Sequence, residues 1–494
     1  MLGHFLPAEI RGMEFFAVDH DTIRAELMYL ESLGSRISGS KSHDQLVEHV
    51  KQQWADFGMR VHEDVLHFDR WSMAAENPDG LRLKIDRRDI AISSVFPYSG
   101  TTGPLGTEKQ LYRLRGPIPR WIKARRGIAV VEVRNREFPF DAAVKTWDRA
   151  RAWGKTTMPL LPATFAGLGL ARARRAGVEA VIFAWRGISI FNAKGQYLPF
   201  TLPYQNIPAV FVAGDDADFV LDAASRARRA TLVVDAVIER DSTMRTIWGA
   251  VEGNSAAHET VLVVSHSDGT NIVEENGHIG LVELARQTAA RPLARTAIFV
   301  LTAGHLRIPA VTDDGQATSR WLRDHPQWWV GGPGNRHAVA GLVIEHLGAR
   351  EYRDDPLKNT YGPTGNPEPE LLYASTPQLT ALIESEWRTT GHPPRVSAPN
   401  ALIQLGEGQP LYLKGIPNIA LVTVPQYLLS IEPGDYVDVA LLDRQVSSFA
   451  RLLRRIDTMP SNEIGTVETI TPLAKAAAAL RAIGILACSS SDWR

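Results

Sequence analysis

Cysteine is nearly absent from this chain. Its 494 residues include one, Cys488, close to the end. A lone thiol forms no disulfide within the chain, which fits a reducing compartment. Long apolar runs are absent too, since none approaches the ~20 residues that span a bilayer. The first 16 residues, MLGHFLPAEIRGMEFF, lack the basic start and continuous apolar core of a signal peptide. Neither sign of charge dominates: 54 Lys and Arg stand against 55 Asp and Glu, a net charge of −1. Nothing in that balance suggests nucleic acid or an anionic membrane as partner. Several signatures are also missing: a Gly-x-Ser-x-Gly elbow, a His-Glu-x-x-His pair, a phosphate loop and any internal repeat. The expectation is a soluble cytoplasmic protein, with a homo-oligomer left open.

What is present is apolar residue in quantity, 44% of the chain, enough for roughly three domains of about 150 residues. Residues 19–34 and 41–58 read as amphipathic helices around the polar connector SRISGS, and 60–68 reads as a strand. From 69 to 235 the texture changes to short β-rich runs separated by Gly and Pro, with one helix-like segment at 166–176. Within it, 135–162 has little apolar periodicity and reads as a loop facing a partner surface. From 238 onward strands and helices alternate. Strands are expected at 246–251, 260–264, 296–301, 339–345 and 419–424, and helices at 278–289, 315–324, 376–389 and 437–456. Such alternation predicts an α/β fold with a mixed, mainly parallel sheet sandwiched by helices.

Residues 261–286, VLVVSHSDGTNIVEENGHIGLVELAR, are the most telling stretch. A buried-strand run ends in His266, Ser267 and Asp268. Two residues apart at a strand end, His266 and Asp268 share a side, a common metal-ligand unit. The bland alternative is a hydrogen-bonded pair. His305 and Glu345 also fall at strand ends, where ligands bind in such sheets.

At this point the residues resemble a known family. MRTIWGAVEGNSAAHETVLVVSHSDG, GLVELAR and TAIFVLTAG look like the core of the two-zinc aminopeptidases. That family includes bacterial leucyl aminopeptidases, glutamate carboxypeptidase, glutaminyl cyclase and the non-catalytic transferrin receptor. SLGSRISGS, AGLVIEHLGA and GEGQPLYLKGIPNIALV support it in order, so the resemblance covers 22–68 and 238–456. The β-rich part, with YSGTTGPLG, GIAVVEV, AGVEAVIFAW and IPAVFVAG, is similar to the protease-associated domain inserted in several members. The resemblance implies an aminopeptidase-like domain of 1–68 and 238–460, an inserted domain of 69–237, and a tail, 461–494, with a helix at 472–486.

The resemblance also implies site roles. Members hold two metals with five side chains, and a glutamate serves as general base. The His-x-Asp unit is intact as His266 and Asp268. The bridging Asp maps to Val273 without gaps, or with a small deletion to Glu275, with Glu274 a second candidate. The usual Glu-Glu pair is His305-Leu306 here, so His305 takes the place of the base and Leu306 that of a ligand. The later Asp maps to Glu345. The late His is absent from Gln426-Tyr427-Leu428-Leu429. These losses fall on one metal. His266, Glu345 and Glu274 or Glu275 remain to hold the other, with Asp268 orienting His266 and His305 a fourth ligand or the proton-transfer group. The expectation is one zinc ion or none, in a hydrolase acting on an amide, peptide or related acyl bond of a small substrate. The alternatives are a non-catalytic relative that binds a ligand or partner, and a metal-independent enzyme.

Bland readings stand beside these. Glu274 and Glu275 suit the first turn of the following helix. His346, adjacent to Glu345, should point the other way and serve in packing or in supporting a neighbouring ligand. His278 reads as a satisfied helix-start residue. Glu407 lies in a Gly-rich loop near an acidic or substrate-facing position of the family. Trp328 and Trp329 read as domain packing or as a pocket wall.

Overall fold

The structure, a computed structural model, describes residues 19–74, 79–116, 118–148, 152–312, 315–389, 394–399 and 404–468, with isolated positions beyond. The N-terminal 16 residues, the tail helix expected at 472–486 and Cys488 lie outside these spans.

Among the described residues, nine strands form one sheet. Their spatial order is Val61–Met73, Ala236–Val251, Arg295–Thr302, Ala256–His266, His337–Glu345, Asn418–Val422, Leu372–Ala374, Val396–Ala398 and Lys145–Thr146. The four from Arg295–Thr302 to Asn418–Val422 are parallel, and Ala236–Val251 is antiparallel to both neighbours. The run Val261–Val264 is apolar throughout because both of its faces are covered. Val261 and Val263 join one buried cluster with Leu281, Leu284 and Phe449. Leu262 and Val264 join another with Ile298, Trp321 and Val343. Helices Lys41–Asp56, Gly277–Ala290 and Val439–Thr458 cover the first face. The outer two start on side-chain caps: Ser40 accepts from the His43 amide at 3.1 Å, and Asp438 from the Leu441 amide at 3.0 Å.

A second sheet of eight strands lies between Leu81 and Val234, with its own buried cluster. Two features of this region differ from the sequence expectation. The helix expected at 166–176 is two helices, Leu160–Leu168 and Leu170–Arg175. The expected partner-facing loop 135–162 turns back onto the first sheet. Phe138, Phe140 and Val144 are buried in the cluster of Leu262 and Trp321, and Lys145–Thr146 pairs with Val396–Ala398. Its apolar residues are too sparse to show a period, yet three of them suffice to anchor it. The strand expected at 60–68 runs on to Met73 because it pairs along its length with Ala236–Val251. No helix among the described residues is long and apolar enough to cross a membrane.

Candidate metal centre

The carboxyl ends of the parallel strands bring together His266, His305 and Glu345, and loops add Glu274 and Glu407. Asp268 organises the floor. Gly304 has φ +99°, a left-handed conformation that glycine adopts without penalty. That turn aims three successive amides at one carboxylate. Asp268 Oδ1 accepts from Gly304 and His305 at 3.0 Å each, and Oδ2 accepts from Leu306 at 2.8 Å. The Ser38 hydroxyl also donates to Oδ2. Burial disfavours the Asp268 anion, but His43, His305, His266 and the Ser38 hydroxyl outweigh it, and its pKa lies below the ordinary value. Asp268 was expected to orient His266. The contact runs through the backbone: the Asp268 carbonyl faces His266 Nδ1 at 3.0 Å, while the carboxylate is engaged by the His305 turn.

Three buried histidines share one pattern. His266 Nδ1 faces the Asp268 carbonyl, His346 Nδ1 faces the Thr423 carbonyl at 2.6 Å, and His305 Nδ1 faces Glu407 Oε1 at 2.6 Å. A carbonyl partner places the proton of a neutral ring on Nδ1 and leaves the Nε2 lone pair of His266 and of His346 free to ligate. The Nε2 atoms of His266 and His346 have no hydrogen-bond partner. Neither has Glu345 Oε2, nor either oxygen of Glu274. His266 Nε2 lies 3.9 Å from Glu345 Oε2, and His305 Nε2 lies 3.7 Å from Glu274 Oε1. The His266 and His305 rings stack with centroids 4.1 Å apart.

Burial sets most of the electrostatics here. It drives His266 down to about 3, with the charge of His305 adding to it. It pushes Glu345 up to about 8, with Glu407 adding, and Glu274 well above its ordinary value. Burial would also lower His305, but the bond to Glu407 and the charges of Glu407, Glu274 and Glu345 carry it up to about 10. Glu407 is held low, against its burial, chiefly by His305. Its Oε2 also accepts from the amide and the hydroxyl of Thr318 at 2.7 Å each. Neutral imidazoles and buried, unpaired carboxylate oxygens form a donor set whose cost a divalent cation removes.

The other sequence candidates are placed as follows. Glu275 forms a buried ion pair with Arg36, whereas the neighbouring Glu274 faces His305. Arg36 also donates to the carbonyls of Leu30 at 2.8 Å and Asn271 at 2.9 Å. Val273 is buried in the core of the first sheet. Leu306 is buried in that of the second, and Leu428 lines the pocket. His278 Nδ1 faces the Glu275 carbonyl at 3.0 Å, but its Nε2 has no hydrogen-bond partner and the ring is buried rather than at the surface. Trp328 and Trp329 pack on the cluster of Trp248 and Trp321 and line no part of the site pocket. Sequence reasoning missed Arg36, Ser38 and His43, although all three lie in or beside the SRISGS connector. The His43 ring lies 2.8 Å from the Ser267 hydroxyl.

The cluster opens into a pocket of about 180 Å³. Its walls are mainly apolar, including Leu198, Phe200, Leu405, Val424 and Leu429. A larger cleft of about 680 Å³ adjoins it and shares Met158, Val424 and Gln426 with it. The cleft holds none of the clustered histidines, whereas His305 and His346 line the smaller pocket.

The mixed sheet and its covering helices have the fold of the zinc aminopeptidases. Solved structures of that kind resemble the chain. BSAP, a zinc aminopeptidase from Bacillus subtilis, is 14% identical with a TM-score of 0.62, covering 93% of this chain and 100% of its own. The aminopeptidase from Aneurinibacillus sp. strain AM-1 is 14% identical with a TM-score of 0.61, covering 92% and 97%. A peptidase M28 precursor from Shewanella amazonensis SB2B is also 14% identical at 0.61, covering 92% and 95%. No protein-family profile matches the chain, and no curated protein does. The likeness is one of fold.

Proposed function

We propose that the chain is a metal-dependent hydrolase that holds one zinc ion and cleaves an amide, peptide or related acyl bond of a small substrate. One observation carries this reading: the buried, unpartnered Nε2 of His266 lies 3.9 Å from a free oxygen of Glu345, and His266 also groups with Glu274, whose buried oxygens are likewise unpartnered. In this reading His266, Glu345 and Glu274 hold the ion. A zinc bound there supplies Lewis acidity toward a carbonyl or a water. His305, held by Glu407, handles the proton at Nε2. Asp268 fixes the turn that carries His305. The apolar wall excludes water from the reacting group. Leu198 and Phe200 of that wall come from the second sheet's region, which we read as an inserted protease-associated domain. The near absence of cysteine supports a cytoplasmic setting.

Metal analysis of purified protein, followed by a panel of peptide, amide and ester substrates with and without chelator, tests the proposal. The expected result is one zinc per chain and turnover that chelation abolishes and zinc restores. Absence of bound metal, with no turnover on adding divalent ions, overturns it. Turnover insensitive to chelator moves the chemistry to a metal-independent pocket centred on His305 and Glu407. Bound metal without turnover on any substrate marks a ligand-binding relative.

A further inference from the structure

His346 directly follows Glu345 at a strand end. Neighbours in an extended strand face opposite sides, and on that rule the imidazole points away from the carboxylate. Here it does not. His346 has φ +55°, a left-handed conformation that side-chain-bearing residues rarely adopt and that clusters at functional sites. The turn folds the ring back beside its neighbour. His346 Nε2 lies 3.9 Å from Glu345 Oε2, the oxygen that is also 3.9 Å from His266 Nε2. The two rings meet edge to face with centroids 6.0 Å apart. All three donor atoms lie within 4.8 Å of one another, and none has a hydrogen-bond partner. The ring is held from behind by the Thr423 carbonyl at 2.6 Å, the arrangement that orients a ligating imidazole. His346 is 3% exposed and lines the pocket, so it is neither a surface residue nor closed off in the core.

We infer that His346 is itself a metal ligand, which adds a second imidazole to His266 and Glu345. This rests on the one-metal reading above. Ligand atoms around a tetrahedral zinc stand about 3.4 Å apart, so each imidazole needs to close on Glu345 Oε2 by only about half an ångström to meet an ion. His346 is not one of the positions that the aminopeptidase resemblance assigns to metal. Leu306 and Leu428 stand where two of those ligands were expected. The left-handed backbone at His346 brings in a donor that neither leucine offers.

His346→Asn and His346→Gly test this. Both residues tolerate a left-handed backbone, so the fold is retained. Zinc affinity is measured by competition with a chromophoric chelator, and the number of imidazoles on the zinc by X-ray absorption. The expected result is two imidazoles in the unaltered protein and one in each variant. Affinity falls at least about tenfold, the lower bound even for loss of a group that only orients a ligand. Added imidazole restores affinity in His346→Gly. His305→Gln keeps the count at two. If the unaltered protein binds zinc and the His346 variants keep both the affinity and the two imidazoles, this inference fails while the hydrolase reading stands. If the unaltered protein binds no zinc, both fail. Should the Asn variant not fold, imidazole rescue of the Gly variant decides.

Discussion

His305 Nδ1 lies 2.6 Å from Glu407 Oε1, across 102 residues of sequence, and both groups are buried. The pair makes His305 a cation in a place where burial alone would keep it neutral. It also joins the turn after one strand to the loop before helix Gly408–Leu413.

Glu407→Gln removes the charge but keeps much of the shape. The His305 pKa should drop from about 10 toward its ordinary value of 6.5, because burial is then opposed only by the charges of Glu274 and Glu345. An NMR titration of the imidazole reads this directly. Glu407→Ala breaks the pair outright and should destabilise the protein by about 3–5 kcal/mol, measured by urea unfolding. A His305 titration unchanged by Glu407→Gln contradicts this account.

Stability of the metal-free protein should fall as pH rises from neutrality. His305 holds its proton up to about 10 in the fold, against an ordinary 6.5. Its contribution is complete below 6.5 and is lost as pH climbs to 10. Glu345 acts in the same direction between 4.5 and about 8, since the fold keeps protonated a carboxyl that the unfolded chain releases. His266, driven down to about 3, acts oppositely and removes stability as pH falls below 6.5. Thermal melting of chelated protein between pH 7 and 9 checks the alkaline side, and a rising melting temperature there refutes it.

Zinc binding at pH 7 should release protons, because Glu345 and Glu274 enter the site largely protonated. Calorimetry in buffers of different ionisation enthalpy counts them. A heat independent of buffer argues against these carboxylates as ligands.

Arg36→Met leaves Glu275 buried without its cation and strips donors from the Leu30 and Asn271 carbonyls. The expected loss is about 3–5 kcal/mol in urea unfolding. Arg36→Lys should rescue little, because one ammonium cannot span those partners. Adding Glu275→Leu to Arg36→Met should recover part of the loss, and no recovery means that the carbonyl contacts dominate.

Gly269→Ala should abolish metal binding with only a modest effect on secondary structure. A methyl group there lands on the carboxylates of both Glu274 and Glu275. Zinc affinity and circular dichroism together test it.

The parts of this site that were legible in the sequence lie on regular strands. His266 and Glu345 close long apolar runs, and burial on both sheet faces made those runs visible. The rest depended on geometry without a linear signature. His346 follows from one backbone angle that breaks strand alternation. The depth of Glu407 depends on a contact across 102 residues, and Arg36 meets Asn271 across 235. Asp268 was visible as a residue but not in its role, since its three amide donors sit on a turn that only Gly304 makes possible.

The short pairing of Lys145–Thr146 with Val396–Ala398 has a mechanical consequence. A chain that leaves the second sheet, adds an edge to the first and returns is stitched across the boundary rather than hinged there. Met158 and Leu160, which wall the pocket, sit just downstream of the stitch. Excising the second sheet by joining 73 to 236 therefore removes an edge of the first sheet and one side of the pocket in the same cut.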